Sequence, residues 1–203
     1  MNTERRLSRG ARIVLASHNQ GKLVEFRTLL ADSGIEIVSA GELDLPEPDE
    51  TGETFEDNAK IKALAATRAA DLPALADDSG FCVTALDGQP GVYSARWGGP
   101  DKDFAKAMAR VNHQLGGHAD RSAAFVAVLC LAWPDGETRC VEGRVEGDVA
   151  WPPRGAHGHG YDPIFLPEGS TRTFAEMAAD EKNAISHRGR ALKRFLAECV
   201  ASP

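Results

Sequence analysis

The sequence predicts an α/β fold with a partly antiparallel second half, and three observations carry that prediction. Arg12 to Ser17 reads as a short buried strand, and Leu23, Phe26, Leu29 and Leu30 then recur at helical spacing as far as Ser33. Ala123 to Trp133 and Thr138 to Val149 flank Pro134-Asp135-Gly136, where Pro and Gly supply the backbone angles of a tight turn, so these two stretches read as a hairpin. A chain of 203 residues with 42% hydrophobic and 26% charged residues can also supply one sizeable core.

The remaining elements follow in order. Glu36 to Ser39 is a second strand, and Thr54 to Ala70, rich in Ala and Lys with few breakers, is a helix. Ala74 to Asp77 is a short strand ending in Asp-Asp-Ser-Gly. A loop rich in Gly and Pro, Gly88 to Pro100, leads into a helix around Lys102 to Leu115. Trp151 to Gly160 is loop, and a last helix from about Ser186 to Val200 carries Ala191, Leu192, Phe195 and Leu196 on one face. Residues 1–11 form a polar arm expected to be disordered, and residues 12–203 a single domain.

Several classes of function are excluded at this level. With 23 Lys and Arg against 30 Asp and Glu, a net charge of −7 repels a nucleic-acid backbone. The longest apolar run, Ala123 to Trp133, falls short of the roughly 18 residues of a membrane-spanning helix. The apolar stretch after the basic N-terminus, Ile13 to Ala16, is too short for a signal peptide, so the chain is expected in the cytoplasm. Cys82, Cys130, Cys140 and Cys199 have neither zinc-site nor disulfide-framework spacing and read as reduced and mostly buried.

Charge is unevenly distributed. Glu42, Asp44, Glu47, Asp49, Glu50, Glu53, Glu56 and Asp57 follow one another without a Lys or Arg, whereas Lys182 to Ala197 holds five Lys and Arg, plus His187, and no acid. Two solvated faces explain this, and so does a divalent metal opposite an anion.

Three constellations bear on chemistry. Ser17-His18-Asn19-Gln20-Gly21-Lys22 lies where a strand turns into a helix, so free N–H groups and the helix dipole suit an anion there. It is not a Walker A, which needs Gly where Ala16 stands and Ser or Thr where Leu23 stands. A simple N-cap by Ser17 or Asn19 also fits, although it leaves the positive charge of Lys22 in a first turn unexplained. Asp77-Asp78-Ser79-Gly80 ends a strand with two carboxylates on opposite sides, so that one can hold metal while another takes a proton from water; an Asx turn is the plainer reading. His157-Gly158-His159 lacks a third ligand nearby, which argues against zinc. Ser94 lacks the flanking glycines of a hydrolase nucleophile.

Taken in order, SHNQGK (Ser17 to Lys22), ETGETFEDNAKIKA (Glu50 to Ala63), ADDSG (Ala76 to Gly80), PGVYSAR (Pro90 to Arg96), GYDPIF (Gly160 to Phe165) and EKNAISHRGRAL (Glu181 to Leu192) make the chain resemble the Ham1/RdgB-type inosine triphosphate pyrophosphatases. The resemblance runs from Ile13 to about Leu196. It implies hydrolysis of ITP, dITP or XTP at the α-phosphorus to monophosphate and pyrophosphate, with Mg2+. The implied fold is an elongated α/β structure, a long twisted mixed sheet flanked by helices, with two lobes, a central cleft and a homodimeric assembly.

Carried over residue by residue, the resemblance places phosphate binding on Ser17, His18, Asn19, Gln20, Gly21 and Lys22 with Lys62 in support. It places the metal on Glu50 and Asp78, the proton acceptor on Asp78, and a substrate contact on Ser79. Base recognition falls on His159, Gly160, Tyr161 and Asp162, and on Lys182, His187 and Arg188. His159 departs from the pattern, standing where the family has a large aromatic, and is expected to stack on the base as a smaller ring. A related phosphohydrolase acting on modified pyrimidine nucleotides and a nucleotide-sensing module without turnover are the competing readings. The second would have no need of Glu50 and Asp78.

Overall fold

The computed structural model describes residues 5–201. Among the described residues six strands and five α-helices follow in the order β1 (Arg12–Leu15), α1 (Gln20–Leu29), β2 (Glu36–Ser39), α2 (Phe55–Ala70), β3 (Ala74–Val83), α3 (Phe104–Leu115), β4 (Ser122–Ala132), β5 (Thr138–Val149), β6 (Phe165–Pro167), α4 (Ala179–Ile185) and α5 (His187–Cys199). The strands form one sheet in the order β2-β1-β3-β4-β5-β6. It is mixed, as expected: β1 runs parallel to β2, Ile13 opposite Ile37, and to β3, Val14 opposite Ala74, whereas β6 runs antiparallel to β5 with Val149 opposite Phe165. No helix among the described residues is long and apolar enough to cross a membrane.

The chain divides into two compact units. One comprises the chain up to Asp78, Val128–Glu142 and the chain from Ala191; the other comprises Ser79–Ala127 and Gly143–Arg190. In the first, α2 lays Ala59, Ala63 and Ala66 on the sheet against Val14, Ala74, Ala76, Val128 and Cys130. These small side chains permit the close helix–sheet approach. The second has a core of aromatic rings, in which Phe81, Phe125, Tyr161, Phe165 and Phe174 pack around Val111 and Leu115 of α3. Ring pairs there prefer stacked and edge-on geometries, as in Phe81 on Tyr161 (4.9 Å between centroids) and Phe125 against Phe165 (4.9 Å).

Local chemistry sets the element boundaries. Helix α3 begins at Phe104 and not near Lys102, because Lys102 has φ +50° and Asp103 caps the helix, its carboxylate accepting the Ala105 and Lys106 N–H groups. The last helix, expected from about Ser186 to Val200, is α5, and the short α4 precedes it unforeseen; the extended backbone of Ser186 stops α4, and its hydroxyl accepts the Gly189 N–H at 3.0 Å to start α5. Strand β3 continues through Asp77 and Asp78 to Val83, so the Asx turn suggested by Asp-Ser-Gly is corrected: the sheet holds this backbone extended.

The expected disorder of residues 1–11 is corrected over the described part of that arm. Leu7 is 3% exposed and forms a parallel bridge with Val200; its N–H donates to Cys199 and its carbonyl accepts from Ala201. Arg5 pairs with Asp135 and Glu137, its guanidinium lying 4.8 Å from the Trp133 ring centre. A single apolar residue in a polar arm, given the extended backbone after α5 to pair with, is enough to pin it. Residues 1–4 of that expectation lie outside the described residues.

Candidate active site

The residues singled out in the first unit converge on β3. Asn19 caps α1, its side-chain oxygen accepting the Lys22 N–H at 3.2 Å, and Ser17 Oγ accepts the Asn19 N–H at 3.1 Å. The turn is thereby held open with Gln20 and Gly21 in the first helical turn, and the His18 ring bonds the Leu45 carbonyl at 2.8 Å. Lys22 Nζ lies 2.7 Å from Asp77 Oδ2. The positive charge that a simple N-cap left unexplained therefore has a carboxylate facing it.

Asp78, the next residue of β3, points to the other side because side chains alternate along a strand. There it meets Lys62 of α2. Lys62 Nζ lies 2.9 Å from Asp78 Oδ1, 2.9 Å from Glu50 Oε1 and 2.9 Å from the Asp77 carbonyl, so one ammonium uses all three donors. Glu50 and Asp78 are thus drawn to a common point although 27 residues of loop and helix separate them in sequence. Asp78 is 9% exposed, and its Oδ2 is buried without a hydrogen-bond partner. Burial raises the Asp78 carboxyl above its ordinary range, while Lys62 pulls it back down. Burial acts to lower the Lys62 ammonium, yet Asp78 and Glu50 outweigh it and the net direction is upward.

The second unit gathers the other candidates. Arg188 donates to Ser79 Oγ at 3.0 Å. Asp162, 2% exposed, accepts the His159 N–H at 2.8 Å and faces Lys182 Nζ at 2.5 Å. Gly158 (φ +73°) makes that turn possible, because a Cβ there would fall 2.0 Å from Asp162 Oδ2, and Gly160 follows at φ +69°. The His187 ring stacks on Phe125 at 4.8 Å and 10°. His159 itself is exposed on the loop.

Tyr161 stands apart from this group. It is 2% exposed, stacked on Phe81, and its hydroxyl donates to the Ser94 carbonyl at 2.8 Å. Burial holds its phenol well above the ordinary range, and its neutral hydroxyl anchors the Gly160 to Asp162 turn to the core. No cluster of three or more His, Cys, Asp and Glu suited to a metal occurs among the described residues, His157 and His159 included.

Two residues to which the resemblance gave no role have partners among the candidate site residues. Asp77 is the partner of Lys22, and alternation along β3 turns its carboxylate to the side opposite Asp78. Phe174 lies beneath Lys182, 5.6 Å from Nζ to ring centre, and nothing in its own sequence neighbourhood points to that. The charge asymmetry resolves into pairs: Glu42 binds Arg27, Glu56 binds Lys60, and Arg190 and Arg194 donate to the carbonyls of Arg144 and Glu142.

Known proteins resemble this chain over nearly its whole length. The model of the Ham1 family matches residues 13–198. The dITP/XTP pyrophosphatase of Gluconobacter oxydans (strain 621H) is 69% identical over 196 residues, which cover 97% of this chain and 94% of that protein. The dITP/XTP pyrophosphatase of Bradyrhizobium sp. (strain BTAi1 / ATCC BAA-1182) is 56% identical over 211 residues and 98% of both chains. Among solved structures, a HAM1 protein from Coxiella burnetii superposes with a TM-score of 0.88 at 43% identity, covering 92% of this chain and 97% of its own. A nucleoside-triphosphatase / dITP/XTP pyrophosphatase from Mycobacterium abscessus gives 0.78 at 47% identity, covering 91% and 98%.

Proposed function

Because the chain belongs to the Ham1 family, we propose that it hydrolyses the noncanonical purine nucleoside triphosphates ITP, dITP and XTP to the monophosphate and pyrophosphate, removing them from the nucleotide pool. The observation that carries the reading is the pairing of Glu50 and Asp78 through Lys62, with Asp78 Oδ2 buried and unpartnered. A buried carboxylate oxygen left unsatisfied costs free energy unless a ligand completes it.

The residues fit a divalent cation. Magnesium takes one or two protein carboxylates together with substrate phosphates, and Glu50 with Asp78 is such a pair. We assign Mg2+ to these two groups, where it neutralises phosphate charge when bound. Asp78 accepts the proton of the attacking water. Burial raises its carboxyl above the ordinary range, against the pull of Lys62, which makes it a better base than an exposed aspartate. Lys22 and the N–H groups of Gln20 and Gly21 at the start of α1 bind the phosphates within the Ser17 to Lys22 turn, with Asp77 orienting the Lys22 ammonium. Lys62 keeps Glu50 and Asp78 aligned and supports the phosphates.

Base selection rests on the second unit. Lys182, held by Asp162, and Arg188, held by Ser79, are donors that a 6-oxo purine accepts. Adenine presents an amino donor at that position and would leave them unpaired, a mismatch worth several orders of magnitude. His187 and the exposed ring of His159 add flat surfaces for the base. The enzyme works as a cytoplasmic homodimer in this reading.

The test is incubation with ITP, XTP, ATP and a panel of modified pyrimidine triphosphates in magnesium, followed by phosphate and pyrophosphate assay. The reading requires pyrophosphate from ITP and XTP and little product from ATP. Preference for a pyrimidine would replace it with the related phosphohydrolase, and binding of ITP without product would replace it with a nucleotide sensor.

A further inference from the structure

The hairpin of β4 and β5 brings together two sulfurs that the hydrolytic chemistry does not use. At its turn the Trp133 N–H donates to the Glu137 carbonyl at 2.9 Å, and the strands resume at Ala132 and Thr138. Counting back residue for residue sets Cys130 directly opposite Cys140. Bonded and non-bonded pairs alternate along an antiparallel ladder, so three steps from the bonded Trp133 and Glu137 this pair is non-bonded. Such pairs hold their Cα atoms about 4.5 Å apart, within the roughly 4.4 to 6.8 Å that a disulfide spans. Both cysteines are free thiols, and both pack at the same cluster beneath α2.

Their surroundings differ in a way that assigns separate roles. Cys130 is fully buried beneath α2, against Ala59 and Ala63. Cys140 is half-buried and lines a pocket of about 410 Å3 with Thr54, Phe55, Glu142 and Arg194. The pocket gives a small solute a route to the Cys140 sulfur. The interaction between the sulfurs raises the Cys130 thiol and lowers Cys140, prevailing at Cys140 over the opposing effects of burial and Glu56. We propose that Cys130 and Cys140 are a redox-active dithiol, which a hydroperoxide entering the pocket at Cys140 converts to a cross-strand disulfide.

In the first step the Cys140 thiolate attacks one peroxide oxygen. An S–O bond forms, the O–O bond breaks, and the departing hydroxide or alkoxide takes up a proton. In the second the Cys130 sulfur attacks the sulfenic sulfur; the S–S bond forms, the S–O bond breaks, and water leaves with the thiol proton. Two thiols and one hydrogen peroxide thus give one disulfide and two waters, the sulfurs losing the two electrons that the peroxide gains.

The full chain would be treated with stoichiometric hydrogen peroxide, alkylated and digested with trypsin. Cleavage after Arg139 leaves the two cysteines on separate peptides, held together only by the new bond. The expected product is a Cys130–Cys140 linked pair that dithiothreitol reverses. Cys130→Ser should stop at the sulfenic acid on Cys140, captured by dimedone, and Cys140→Ser should leave Cys130 as a thiol. Should Cys130→Ser fail to fold, the wild-type peptide map decides alone. Alkyl label on both Cys130 and Cys140 after peroxide treatment, or oxidation confined to Cys82 or Cys199, would overturn the proposal.

Discussion

Lys62 Nζ stands 2.9 Å from Asp78 Oδ1 and 2.9 Å from Glu50 Oε1, while the second oxygen of Asp78 has no partner. The ammonium thus serves as a brace, holding one oxygen of the proposed base and leaving the other to react. Asp78→Asn keeps the shape and the bond to Lys62, but an amide can neither take a proton from water nor match a carboxylate toward metal. Turnover of ITP should fall by at least about a hundredfold, with the circular dichroism spectrum unchanged. Near-normal activity in a folded variant would remove Asp78 from its role.

Lys22→Ala should weaken the binding of every triphosphate to a similar degree, because Lys22 lies in the helix-start turn facing Asp77, where the proposal places phosphate and not base. The variant also removes the Lys22 ammonium that faces Asp77, whose side chain is 2% exposed, so the melting temperature should fall as well. Steady-state kinetics with ITP and XTP check this. A changed ratio between the two substrates at unchanged KM for either would contradict the phosphate assignment.

His159 is exposed and secured through its backbone to Asp162, so its ring can be exchanged without disturbing the core. Base–aromatic stacking is worth roughly 1 to 3 kcal/mol per base and grows with overlap. His159→Trp should lower KM for ITP, and His159→Ala should raise it, with the preference over ATP retained in both. An unchanged KM in His159→Ala would make His159 an ordinary loop residue.

Leu7→Ala removes the buried anchor of the N-terminal arm, which pairs with Cys199, Val200 and Ala201. Burial losses of this kind cost about 2 to 5 kcal/mol in a packed core, and this peripheral site belongs at the lower end. Thermal melting should therefore drop by several degrees while KM for ITP stays as in the parent. A melting temperature equal to that of the parent would mean that the bridge adds nothing to stability.

What the sequence made legible was whatever local pattern decides. Thr138–Val149 is a strand at its expected limits because Pro134-Asp135-Gly136 dictates the turn before it, and Phe55–Ala70 follows its Thr54 cap within a residue. Strand β6 spans three residues and α4 seven, too short for either period to register against the loops around them. Strand β3 outran its expected end because pairing within a sheet overrides the turn preference of Asp-Ser-Gly. For the site, residue types at strand ends marked Lys22 and Asp78. Their partners follow from tertiary packing alone: nothing between Glu50 and Asp78 in sequence announces that Lys62 bonds both.

The central claim is that water, deprotonated by Asp78, attacks the α-phosphorus of the nucleotide. Hydrolysis of ITP in water enriched in oxygen-18 tests it directly, with the products separated and read by mass spectrometry. The account predicts one heavy oxygen in the inosine monophosphate and none in the pyrophosphate. Heavy oxygen in pyrophosphate, or in inorganic phosphate released beside the diphosphate, would contradict it.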